Sequence, residues 1–159
     1  MATNNSSKKT PTSTTPETFG DYAGAGFFEH LIPIIPPTAT ISKMSNPSVK
    51  AGRGKIPGKQ LQDDTWVGFM KWTQHVAGFD NTMDWDAMGA GVGIQTRAFP
   101  AIDIDVLDSD VADATEDLAK LYLGDAPTRY GNAPKRLLMY RWSDPENPGR
   151  KRRVAFTLP

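Results

Sequence analysis

Asp103 and Asp105 stand two positions apart in Ala101-Ile-Asp-Ile-Asp-Val-Leu107, where the alternation of apolar and acidic residues predicts a β-strand. Successive strand side chains point to opposite faces, so Ile102, Ile104 and Val106 are expected in the core and both carboxylates on the other side. Aspartate is depleted in strands, and two carboxylates one pleat apart repel unless a positive charge lies near them. A hard divalent cation suits such a pair. Mg²⁺ or Mn²⁺ takes one or two carboxylates and completes its shell with water and substrate phosphate, as in phosphoryl-transfer sites. The plainer alternative is a half-exposed strand that carries two acids on its wet side. Asp108, beside the following helix, is expected to cap it rather than to supply a third ligand.

Cations form the second group. Pro127-Thr-Arg-Tyr-Gly-Asn-Ala-Pro-Lys-Arg136 reads as a basic loop between that helix and a later strand. Arg129 offers bidentate contacts and Lys135 a point charge, a combination suited to a triphosphate above a metal at the acid pair. An ordinary basic surface loop is the alternative. Lys55 and Lys59 in the loop Lys43–Gln62, and the run Arg150, Lys151, Arg152 and Arg153, are candidates for neutralising nucleic-acid phosphates, or else solvated surface charges. Trp66, Trp72, Tyr130 and Trp142 could stack on bases, but Trp66 and Trp72 at helical spacing are expected in the core. His30 and His75 have no ligand-like neighbour in sequence and are expected to be structural or surface residues.

The elements that must position these residues are read from pattern. Residues 1–18, rich in Ser, Thr, Asn and Pro, are expected to be a disordered leader, and 19–159 one domain. Phe19–Leu31 is compatible with a short helix weakened by glycines, and Ile32–Ile35 with a strand ended by Pro36-Pro37. Thr65–His75 predicts a helix capped by Asp63 or Asp64. Gly91–Thr96 and Ala101–Leu107 predict a hairpin joined by Arg97-Ala-Phe-Pro100. A helix is expected over Ser109–Tyr122, stopped at Gly124, with Val111, Ala114, Leu118, Leu121 and Tyr122 as its core stripe. Two further strands, Arg136–Trp142 and Lys151–Leu158, are expected on either side of a turn-rich link. This order is α+β with antiparallel hairpins and flanking helices, not the alternation of a doubly wound sheet.

Composition narrows the classes. The 159 residues contain no cysteine, so disulfides, thiolate nucleophiles and Cys-based zinc sites are excluded. No apolar run reaches the roughly 20 residues needed to span a bilayer, and no signal peptide is visible, so a cytoplasmic chain is expected. Lys plus Arg and Asp plus Glu both number 18, but unevenly: 7 against 3 in residues 1–60, 3 against 13 in 61–128, and 8 against 2 in 129–159. Basic flanks around an acidic middle suit polyanion binding outside and cation binding inside.

Taken in order, Gly54-Lys-Ile-Pro-Gly-Lys59, Trp66 with Phe69 and Trp72, Gly91-Val-Gly-Ile-Gln-Thr96, Ala101-Ile-Asp-Ile-Asp-Val106 and Thr128-Arg-Tyr-Gly131 with Pro134-Lys135 resemble the N-terminal domain of bifunctional DNA primase-polymerases. These belong to the archaeo-eukaryotic primase superfamily and occur in phage and plasmid replication proteins. The resemblance spans residues 20–158. It implies a core like the RNA-recognition fold, with Asp103 and Asp105 as ligands of Mg²⁺ or Mn²⁺. It also implies an NTP or dNTP as substrate, a DNA template and primer as partner, and a helicase or ATPase domain in a longer parent, in a bacterial or phage-infected cell. Two departures matter. The family's small-residue-x-His motif has no His in Thr128-Arg-Tyr-Gly131, which leaves Arg129 and Lys135 as the expected phosphate-binding substitutes. The third acidic motif is also missing, because after Arg141 only Asp144 and Glu146 are acidic, both in an expected turn. The domain is therefore expected to be incomplete at its C-terminus and impaired in two-metal transfer. Two other functions remain open. A nuclease using the same pair would need a water-activating base, and neither His is placed for it. A non-catalytic nucleic-acid-binding module would leave the pair incidental.

Overall fold

The computed structural model describes residues 18–142, which form two compact units: 18–69 with 76–92, and 70–75 with 93–142. The chain is of the α+β class, with small antiparallel sheets and short helices. The disordered leader expected over the N-terminal residues, the strand expected over Lys151–Leu158 and the Arg150–Arg153 run lie outside the described residues.

In the first unit, α1 (Phe19–Tyr22) starts at a capping box in which Thr18 and Asp21 bond reciprocally. The chain then loosens into a π-helical turn at Ala23–Phe27 and a 3-10 turn at Phe28–His30, with Gly26 at φ 92° marking the break. Phe19 is fully buried, its ring 5.2 Å from that of Trp85 on α3 (Phe79–Ala87), and its N–H donates to Asp86. No pattern in the sequence pointed to α3. The strand β1 (Leu31–Ile34) pairs with β4 (Gly91–Ile94) where the chain leaves the unit, and Gly91 lies against Ile34.

The segment expected to be a long basic loop carries α2 (Pro47–Ala51), capped by Asn46 with proline at its first turn, and β2 (Gly58–Gln60). The strand β2 pairs antiparallel with β3 (Trp66–Gly68) in the register Gly58↔Gly68, Lys59↔Val67, Gln60↔Trp66. This overturns the helix expected over Thr65–His75. Asp63 accepts from the N–H and hydroxyl of Thr65, and Asp64 sits at φ 61°, so the two acids shape the turn of a hairpin instead of capping a helix. Lys71 at φ 58° stops any continuation, and only a 3-10 turn, Trp72–Gln74, follows. Trp66 is buried as expected and Phe69 is buried with it, whereas Trp72, also expected in the core, is partly exposed and Met70 is exposed.

The second unit contains β5 (Ala101–Ile104), α4 (Ser109–Leu123), β6 (Thr128–Tyr130) and β7 (Arg136–Met139). The three strands form one antiparallel sheet in the order β5-β7-β6. Two expectations fail here. β4 and β5 are not a hairpin: β5 pairs with β7, and Pro100 and Ala98 accept from the N–H groups of Tyr140 and Trp142, so the link itself runs along β7. The second failure concerns the loop expected over residues 127–136, which is a β6–β7 hairpin closed at Gly131–Lys135. Thr128 and Tyr130, with Gly131-Asn132 after them, supply strand and turn chemistry.

α4 matches its expected bounds and its expected cap, since Asp108 accepts from the N–H of Val111, but it turns the other face inward. Ala112, Glu116 and Ala119 are buried, with the two alanines packed against Ile104 and Leu138, while Val111, Leu118, Leu121 and Tyr122 are exposed. Small residues let the helix lie close on the sheet, and Arg136 reaching from the sheet holds Glu116 on that side.

Candidate functional site

The antiparallel register sorts the sheet's residues by face. Asp103 is opposite Leu137, which is opposite Arg129, so these three form one row on one side. The next row, Ile104, Arg136 and Tyr130, and the row Ile102, Leu138 and Thr128 belong to the other side, which α4 covers. Asp105 and Lys135 lie just past the last paired rung, Ile104 with Arg136, where alternation carried one residue further turns them to the Asp103 side, and they form an ion pair at 2.7 Å. Asp103, Asp105, Arg129 and Lys135 thus share the face that α4 leaves open. Arg129 stands two strands from Asp103, about 10 Å at the usual strand spacing. Asp103, Asp105 and Arg129 are exposed, and Leu137 between them is half-buried.

Behind the sheet lies an ionic cluster that no motif announced. Arg136 bonds to Glu116 and also to Asp113 at 2.6 Å, and Lys120 pairs with Glu116 at 2.6 Å. The Lys120 hydrogen bond first, and Arg136 second, hold the Glu116 carboxyl below the usual glutamate range. The cluster ties Arg136, at the start of β7, to α4. The i,i+4 spacing of Glu116 and Lys120 was visible in the sequence. The role of Arg136 was not, because it depends on which strand face meets the helix.

To a cation the open face offers two exposed carboxylates, one of them paired with Lys135. Asp108 is committed to its cap, and no group of three or more His, Asp or Glu suited to a metal occurs among the described residues. Two exposed carboxylates on one strand do not make a closed protein cage for calcium or zinc. They match the coordination habit of Mg²⁺ or Mn²⁺, which keeps water and substrate oxygens in its remaining positions.

The other expected contacts are dispersed. Lys55 and Lys59 are exposed in the first unit, with the Lys59 ammonium 4.3 Å from the centre of the Phe69 ring. Tyr130 lies under the Arg136 guanidinium at 5.7 Å, and Arg141 lies over Phe99 at 5.2 Å. Among the described residues no helix is long and apolar enough to cross a membrane. No protein-family model, curated protein or solved structure matches the chain.

Proposed function

We propose that the chain is a metal-dependent nucleotidyl-transfer domain of the DNA primase-polymerase type, acting on an NTP or dNTP with a DNA template and primer. The supporting observation is the shared open face of the β5-β7-β6 sheet, where two carboxylates, a lysine and an arginine come together around Leu137. In this reading, Asp103 and Asp105 would hold Mg²⁺ or Mn²⁺, which supplies charge neutralisation of the phosphates when bound. Arg129 and Lys135 bind and orient the triphosphate, and half-buried Leu137 gives it an apolar floor. The primer 3′-hydroxyl attacks the α-phosphate and pyrophosphate leaves, so the chain's residues act by positioning and by field more than by covalent chemistry. Lys55 and Lys59, with Arg150, Lys151, Arg152 and Arg153, are assigned to the nucleic-acid backbone.

The test is binding of a fluorescent dNTP in Mn²⁺. The Asp103→Asn, Asp105→Asn double variant is expected to lose binding while keeping its circular dichroism; equal binding by the two proteins overturns the assignment. A second reading, a nucleotide- or nucleic-acid-binding module without catalysis, is favoured by the pair's having no third carboxylate among the described residues. Carboxylate-dependent dNTP binding without primer extension would select it.

A further inference from the structure

The pairing of Lys135 with Asp105 is set by the sheet. Ile104 with Arg136 is the last rung of the β5–β7 pairing, Asp105 and Lys135 meet in an ion pair just beyond it, and Arg136 is clamped from behind by Glu116 and Asp113. Asp103 lies opposite Leu137 and has no ion pair among the described residues. One carboxylate of the pair is therefore already matched by an ammonium, and the other is open.

We infer that Lys135 is a selectivity residue for the form in which the cation arrives: the Asp pair admits a divalent metal as its triphosphate complex and disfavours the bare ion. The inference rests on the function proposed above. A bare ion competes with the ammonium for Asp105 and, once bound there, lies close to a second positive charge with no added anion to offset it. A metal–triphosphate complex keeps a net negative charge. It offers phosphate oxygens to Lys135 as the ammonium leaves Asp105, so the same movement frees the carboxylate and fixes the nucleotide. Both carboxylates then meet the metal more readily when substrate is present.

The experiment is a Mn²⁺ titration read by electron paramagnetic resonance, first without nucleotide and then with a non-hydrolysable dNTP. An exposed pair of this kind is expected to hold bare-ion affinity down by up to roughly fivefold. Lys135→Met should therefore bind bare Mn²⁺ that much more tightly and bind the Mn²⁺–dNTP complex more weakly, opposite changes from one substitution. Lys135→Arg, which keeps the pair, should stay near wild type in both titrations. Arg129→Met removes a charge from the same face without releasing Asp105, and should move bare-ion affinity by less than about twofold. If Lys135→Met leaves bare-ion affinity unchanged, or shifts both affinities in one direction, the inference is overturned while the proposed site stands. If binding of the Mn²⁺–dNTP complex is indifferent to Asp103→Asn with Asp105→Asn, the proposed function falls and the inference with it.

Discussion

Glu116 shows how much a single side chain carries here. It is buried on the inner face of α4, yet it stays ionised because Lys120 and Arg136 both bond to it. Removing its charge leaves Lys120 without its carboxylate and Arg136 with Asp113 alone, and Glu116→Gln is expected to cost about 1–3 kcal/mol in urea unfolding at neutral pH. The pH dependence has a definite sign. Because the folded state holds the Glu116 carboxyl below its usual range, through Lys120 first and Arg136 second, its contribution is full above the unfolded value of about 4.3. It is lost as pH falls through the depressed folded value. Thermal melts from neutral pH down to pH about 3 should show a shallower acid limb in Glu116→Gln than in wild type; parallel curves would refute the role.

At the scale of elements, each helix and hairpin makes its own prediction. Asp108→Ala removes the cap of α4 and should cost about 1 kcal/mol. The two faces of that helix should respond oppositely. Ala112→Leu forces bulk between helix and sheet, at about 1–3 kcal/mol, whereas Leu121→Gln, on a side chain 76 % exposed, should stay within about 0.5 kcal/mol. Denaturant midpoints measure both, and the reverse order would mean that α4 packs by the stripe its periodicity suggested. In the β2–β3 hairpin a Cβ on Gly58 would stand 2.1 Å from the buried Ile35 side chain and 3.0 Å from the Val67 carbonyl oxygen. Gly58→Ala should therefore destabilise the first unit by about 1–3 kcal/mol.

For the molecule as a whole, charge is partitioned along the chain: basic at both ends, acidic between. If the basic parts contact a nucleic-acid backbone, binding should weaken steeply with salt. Replacing Lys55 and Lys59 together by alanine should lower the slope of log K against log salt by roughly 1.4 on single-stranded DNA. Fluorescence anisotropy across a salt series measures it, and an unchanged slope removes both lysines from the interface. Lys59 also lies over Phe69, so Lys59→Ala alone is expected to lose about 0.5–1 kcal/mol of stability, a change that Lys55→Ala should not show.

The sequence by itself determined what local chemistry determines. It set the strand alternation that turns Asp103 away from Ile102 and Ile104, although the strand expected to run to Leu107 ends at Ile104, before Asp105, together with the Asp108 cap and Gly124 stop of α4 and the interruption of the first helix at its glycines. The α+β class followed from the order of these elements. Tertiary pairing decided the rest. Asp63 and Asp64 suit a helix cap and a hairpin turn equally well, and only the pairing of β2 with β3 selects the turn. The apolar stripe of α4 had the right period, but the sheet took the alanine face because close approach and the Arg136 contact with Glu116 outweighed the larger side chains. The gathering of Asp103, Asp105, Arg129 and Lys135 also depends on the register of β5 with β7, in which Asp103 pairs with Leu137, 34 positions further along the chain. Side-chain alternation states which face each residue occupies within its own strand, whereas the partner opposite it is chosen by the fold.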